Sequence, residues 1–418
     1  MSGRILVKGG TVLSLDRSVG NMTEGDVLIE DGVIREIGGS IRARNADVVD
    51  AADTIVMPGF VDGYHRLWQS LVRNLGSSPP VDLAGHFTPD DLYAATLTGL
   101  LQAAVAGSTT VVDRCDVSGS PEHIEAALSA HADSGVHTVF VQPTTTPRRP
   151  SGATFAAASP DVVDADLDAV ASAWSEARGR GERIHARAGT ASASGGEIAD
   201  LGRRGLLGPD VTLHHCVRLN DADFDTIASS STGVILTPSS DMAAGAPPPP
   251  VQQFIDRDIR PGLGVGDEML APGDVFAQIR SVISVQHATS FDLKLAGKGG
   301  VPNLMNTRDV FRYATIDGAK AIGLADVTGS LSPGKRADVI VLRTDRPNIT
   351  PVNDPIGAVV WGMDTSNVDW VFVGGSALVE HGEPTANVAR VRDLATEAQR
   401  RVMAAAGARG VGTGVERT

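Results

Sequence analysis

Several short apolar runs in this chain end in residues that can do chemistry. Tyr64-His65-Arg66, Asp113-Arg114, His185-Ala186-Arg187 and His214-His215-Cys216 each close such a run. An imidazole trades protons near neutral pH, a phenol does so when its pKa is displaced, and a guanidinium stays charged and forks onto planar anions. Tyrosine and arginine turned inward suit binding of a carboxylate, an enolate or another oxyanion. Acidic residues that could complete such a site are Asp116, Asp241, Asp267 and Glu268. A plainer reading stands beside this one. Arg66 would pair with Asp116, Asp267 or Glu268 in a structural ion pair, Tyr64 would fill space, and His214 would be a hydrogen-bonded wall.

The elements that must position these residues alternate in type. From Pro58 to about residue 330, apolar strands such as Thr109-Thr110-Val111-Val112 and Gly233-Val234-Ile235-Leu236 alternate with Ala-rich helical stretches. That rhythm over so long a span predicts a parallel (β/α)8 barrel, whose chemistry sits at the C-terminal ends of its strands. Before residue 58 and after residue 330 the pattern becomes short strands and turns. An example is Val27 to Ile34, a hairpin turned by Asp31-Gly32. The expected organisation is a small β-sandwich domain from both chain ends (1–57 and 331–386), a barrel over 58–330, and a C-terminal helix with a flexible tail over 387–418. Residues 74–89, rich in Ser, Pro and Gly, would form a lid, and Pro247 to Pro250 a stiff loop at the rim.

The bulk numbers restrict the function classes. With 418 residues, 42% of them hydrophobic, one large domain and a companion can be packed. A net charge of −14 without any run of Lys or Arg longer than a pair argues against nucleic acid or an anionic membrane as partner. The two cysteines, Cys115 and Cys216, stand in apolar strands and read as buried thiols of a reducing compartment. No apolar run approaches the ~20 residues that span a bilayer, and no leader pattern opens the chain. A cytoplasmic homo-oligomer acting on a small molecule is expected. The Ala-, Gly- and Arg-rich composition suggests a high-GC bacterial genome and specialised metabolism.

Five stretches together resemble the amidohydrolase superfamily, in its cytosine deaminase and chlorohydrolase-like branch. They are Asp26 to Gly32, Met57-Pro58-Gly59-Phe60-Val61-Asp62-Gly63, Ala314-Thr315-Ile316-Asp317-Gly318-Ala319, Gly329 to Asp338, and Val371 to Gly375. The resemblance covers the chain to about residue 385 and implies the barrel fold. It also implies a divalent metal held by a His-x-His pair on strand one, histidines on strands five and six, and an aspartate on strand eight. Such a metal would activate water.

Those positions read differently here. Trp68-Gln69 fixes the register on strand one, which puts Tyr64 and Arg66 where the pair is expected, with His65 between them and aimed away. On strand five the second member of His185-Ala186-Arg187 is Arg187, although His185 can be aligned instead. His215 keeps its place on strand six. Gly266 stands in place of the aspartate, next to Asp267. Arginine cannot ligate a cation and repels it.

The resulting expectation is an enzyme without metal or other cofactor. It would act on a small polar heterocycle or amide by acid–base chemistry and oxyanion stabilisation, in a cyclisation, elimination, isomerisation or rearrangement. His215, Tyr64, Arg66 and Asp267 would be catalytic, with the Tyr64 pKa lowered by the arginines. Arg187, His185, Trp68, Gln69, Arg114, Asp116, Gln142, Asp241 and Glu268 would bind substrate. The alternatives are a non-catalytic small-molecule binder and a conventional metal-dependent deaminase or C–N hydrolase.

Overall fold

A computed structural model describes residues 3–73, 83–117, 119–143, 154–158, 166–190, 193 and 195–407. Eight parallel strands form one sheet in sequence order: Phe60–His65, Ser108–Arg114, His137–Pro143, Thr154–Ala158, Arg183–Ala188, Val211–His215, Gly233–Leu236 and Gly262–Leu263. They are numbered here as barrel strands one to eight. An isolated parallel bridge between His65 and Gly266 joins strand one to the segment after strand eight and closes the barrel.

Alternation along these strands sorts side chains by period two. On strand two, Val112 packs inside with Val61, Val139, Val141 and Ile235, which places Arg114 on the same side at the strand end. On strand five, Ile184 and Ala186 join the outer core against the helices, so His185 and Arg187 turn to the axis. Above the apolar layer of Val61, Val112, Val139, Val141 and Ile235, the interior is polar at the C-terminal ends of the strands.

Closure depends on a small seam. Gly266 N–H donates to Tyr64 O (2.8 Å) and Arg66 N–H donates to Gly266 O (3.2 Å). The Asp62 carboxylate stitches both sides: Oδ1 accepts from Val265 N–H at 3.0 Å and Oδ2 meets His65 Nδ1 at 2.7 Å. A Cβ on Gly264 would stand 2.7 Å from the Tyr64 backbone nitrogen, so only glycine allows the two ends to approach this closely.

The second sheet has nine strands drawn from both ends of the chain. Arg4–Val12 pairs with Met22–Glu30 and, in parallel, with Asp47–Asp50 and Thr54–Pro58. Thr54–Pro58 then pairs antiparallel with Val339–Arg343, which carries Val368–Val373, Ser376–Glu380 and Glu383–Pro384. The Asp31-Gly32 turn has φ of 50° and 81°, the left-handed pair that a tight hairpin requires.

Helix starts follow their caps. Thr88 and Asp91 form a reciprocal capping box on Pro89–Val105, and the Asn306 side chain caps Thr307–Tyr313. At the start of Pro121–Ser134 the Ser120 side chain makes no capping bond and bonds Glu122 and His123. The C-terminal helix Val388–Ala405 lies against Pro89–Val105, with Arg401 paired to the buried Asp91. No helix among the described residues is long and apolar enough to cross a membrane. The loop expected as a lid falls outside the described residues over 74–82. Residues 246–250 form the expected irregular proline loop, ahead of the short helix Val251–Asp256.

Candidate active site

Strand six ends in a backbone feature that sets the site. His215 and Cys216 have φ of 75° and 54°, a conformation that non-glycine residues adopt at a cost of about 1–3 kcal/mol each. His214 already faces the axis, and this turn brings His215 beside it instead of sending it outward. Tyr64 packs on both, with ring centroids 4.7 Å from His214 and 5.2 Å from His215. The helical turn Pro238–Ala243 after strand seven supplies Asp241, whose Oδ1 lies 2.7 Å from His215 Nδ1. Thr237 Oγ1 donates to Asp241 Oδ2 at 2.8 Å and holds the carboxylate in place. A carboxylate can only accept, so Nδ1 carries a proton towards it, and in the neutral ring the lone pair is on Nε2. That Nε2 has no hydrogen-bond partner.

Charged groups gather on the other side of Tyr64. Arg66 bridges two carboxylates, Nε to Asp116 Oδ2 at 2.8 Å and Nη1 to Asp267 Oδ1 at 2.9 Å. Arg114 Nε shares Asp116 at 3.1 Å, and Gln69 Nε2 donates to Asp267 at 3.2 Å. The Tyr64 hydroxyl is fully buried and lies beside the Arg66 guanidinium. The lowered Tyr64 pKa expected from the neighbouring arginines is corrected by the structure. Burial raises it, and the pull of Arg66, Arg114 and Arg187 only partly offsets this, so the phenol keeps its proton.

The remaining expected site residues divide between this mouth and its surroundings. Arg187 belongs to the inner face of strand five, near Tyr64 and His214. His185 lies below it, fully buried, with Nδ1 3.0 Å from His214 Nε2 in a stacked pair. Trp68 packs edge-on against Phe87 in an apolar cluster outside the barrel. Glu268, expected to contact substrate, turns instead to His65 Nε2 at 3.3 Å. The Gln142 side chain lies outside the described residues. Asp62, Thr237 and Ser240 were missed. Their roles arise from partners far away in sequence, and only the Val-Asp-Gly run at Asp62 marks any of them.

His65 sits between Asp62 and Glu268 with no exposure. A register irregularity between Asp62 and His65 lets Tyr64 face the axis while His65 turns to the seam. Burial alone would depress the His65 pKa, but the two carboxylates more than offset it and push it up to about 10. His185 is driven down to about 3 by burial, then by Arg183 and Arg114. His137 falls to about 4 through burial and Arg336.

The signs give a pH prediction. An unfolded histidine titrates near 6.5. Between that value and about 3 to 4 the unfolded chain binds more protons than the folded one through His185 and His137, so stability falls as pH drops through this window. His65 acts in reverse: its stabilisation is complete below 6.5 and is lost as pH rises towards about 10. Denaturant midpoints at pH 4, 7 and 9.5 should therefore form a dome, and His65→Gln should flatten its alkaline limb. An alkaline limb unchanged in His65→Gln would contradict the assignment.

The chain is 26% identical to the 5′-deoxyadenosine deaminase of Methanothermobacter thermautotrophicus, over 91% of this chain and 94% of that protein. It is 24% identical to the 5-methylthioadenosine/S-adenosylhomocysteine deaminase of Pyrococcus furiosus, over 91% and 96% of the two chains. Among solved structures, atrazine chlorohydrolase from Arthrobacter aurescens TC1 complexed with zinc superposes with a TM-score of 0.82 at 20% identity, over 94% of this chain and 100% of that one. An adenosine deaminase from Xanthomonas campestris with bound zinc gives 0.80 at 17% identity, over 96% and 98%.

These relatives overturn the expected metal-free cyclisation, elimination, isomerisation or rearrangement. Proteins matching along nine-tenths of the chain are named as deaminases, and solved neighbours hold zinc. As they stand, the described residues of this chain do not fit such a cation. No three His, Cys, Asp or Glu side chains converge among them. The Arg66 guanidinium lies between Asp116 and Asp267, and a Cβ on Gly266 would stand 2.7 Å from the Ser240 side chain. No step is therefore routed through a metal. Residues 55–378 match the amidohydrolase family, and the chain belongs to that family.

Proposed function

We propose that the chain is a hydrolytic enzyme, a deaminase or a closely related C–N hydrolase, acting on a small amino-substituted nitrogen heterocycle at the barrel mouth. The observation that carries this reading is His215: its Nδ1 is anchored on Asp241 and its Nε2 is unpartnered, in a chain similar along its length to deaminases. In the reaction, a water oxygen bonds to the ring carbon bearing the amino group and the C–N bond breaks. His215 Nε2 accepts the proton that water loses and delivers it to the departing nitrogen, which leaves as ammonia. Asp241 steadies the imidazolium formed in between. The un-ionised Tyr64 hydroxyl donates to the ring nitrogen beside the reacting carbon, where negative charge accumulates as water adds.

The test is ammonia release from 5′-deoxyadenosine, 5-methylthioadenosine, S-adenosylhomocysteine and a set of aminopyrimidines and aminotriazines. Each is assayed on the protein as purified and with one equivalent of zinc added. Stoichiometric ammonia from any of them in either arm, abolished by His215→Asn, is the expected result. No ammonia from the whole set in both arms overturns the reading.

A further inference from the structure

A cleft of about 640 Å3 opens between the turn that follows strand Arg4–Val12, the start of barrel strand eight, and the helices Thr307–Tyr313 and Ile316–Ala321. Arg260, on its wall, stands two residues before Gly262–Leu263, so the cleft lies at the end of the barrel where that strand begins, opposite the mouth. Arg17, Arg308, Arg312 and Lys320 line it as well, in a chain whose net charge is −14. Two of the five cations are committed. Arg312 holds Asp317 with Nε at 3.1 Å and Nη2 at 2.7 Å, and Arg260 meets the exposed Asp258 at 3.3 Å. The side chains of Arg17, Arg308 and Lys320 make no ion pair or hydrogen bond among the described residues. The other two acids of the cleft are held by neutral partners, Asp16 by the Ser18 and Ser332 hydroxyls and Asp309 by the Asn306 amide. Arg308 and Arg312 stand four apart on one helix face, a like-charge spacing that is unfavourable on its own and that an anion between them relieves.

We infer that this cleft is a second ligand site, one that takes the phosphate of a small organic phosphate monoester. It is separate from the chemistry proposed at the mouth and does not depend on it. Such a phosphate carries about −1.5 to −2 charges at pH 7 and three acceptor oxygens. That matches the three uncommitted cations, which approach from the turn at Arg17 and from one helix each for Arg308 and Lys320. The spare Nη1 of Arg312 is a fourth donor group, its guanidinium already oriented by Asp317. Leu15, Ile316 and Ile356 form an apolar wall beside the cations, so the phosphate is a substituent on an organic body and not the free ion.

The probes are phenyl phosphate, phenyl sulfate and inorganic phosphate, titrated calorimetrically into the full-length protein at about pH 8, where the phosphate ester is a dianion. Phenyl phosphate should bind at one site per chain, ten-fold or more tightly than either of the others, and weaken as salt rises. Arg308→Gln with Lys320→Gln, both at exposed positions, should cost at least ten-fold in that affinity. Lys294→Gln with Lys298→Gln removes the same two charges from another exposed stretch and should leave the affinity unchanged. Matching thermal midpoints will show that both double variants fold. Four results would each overturn the inference: no binding of phenyl phosphate, equal binding of the sulfate or the free phosphate, an affinity that survives in the cleft variant, or one lost equally in the control variant.

Discussion

His215→Asn is expected to lower kcat for ammonia release by about 10²- to 10⁴-fold, the range that loss of a positioned acid–base group costs. The reason lies in the geometry of the pair. Asp241 fixes the tautomer through Nδ1, and the unpartnered Nε2 is the only atom of the ring left to move a proton. Asparagine keeps a polar group for Asp241 and removes the proton carrier. Asp241→Asn should act in the same direction, since an amide no longer requires the proton to sit on Nδ1. Steady-state kinetics on folded variants decide the matter: kcat within ten-fold of the parent for His215→Asn would remove this residue from the chemistry.

The second large effect concerns stability. Arg66→Met should destabilise the fold by about 3 kcal/mol, at the low end for breaking a buried ion pair, because it strands Asp267. Asp116 retains Arg114, whereas the Asp267 carboxylate is left with the neutral Gln69 amide. Neutralising the stranded acid should recover most of the loss, so Arg66→Met with Asp267→Asn should lie closer to the parent than Arg66→Met alone. Urea unfolding of the four proteins in this cycle supplies the numbers. A stable single variant, or a double variant that is simply the sum of the two losses, would show that the cluster is not one unit.

Much of this molecule was legible in its sequence, and the boundary falls at contacts between distant residues. The alternation of strand and helix, the Asp31-Gly32 hairpin and the cap at Asn306 follow from neighbours in the chain. His215 was found because it closes an apolar run, and Trp68-Gln69 set the register that put Tyr64 and Arg66 at the mouth. The fate of each side chain depended on partners that spacing does not show. Glu268 looks like another acid of the mouth, yet a two-residue last strand delivers it to His65. The Tyr64 pKa was misjudged because local sequence shows the arginines but not the burial that outweighs them. The reaction class was misjudged because ligand-type residues were weighed alone, without the relatedness of the whole chain.

The seam has a thermal consequence. Arg66 stands on one lip of the closing bridge and Asp267 on the other, and between them the sheet is held by a handful of hydrogen bonds and the Asp62 clamp. If those lips part, the cluster comes apart while the other seven strand pairings stay intact. Warming should then cost the protein the proposed ammonia release several degrees before it costs the barrel its circular dichroism. A covalent staple across the seam would bring the two temperatures together, turning a hinged ring into a welded one.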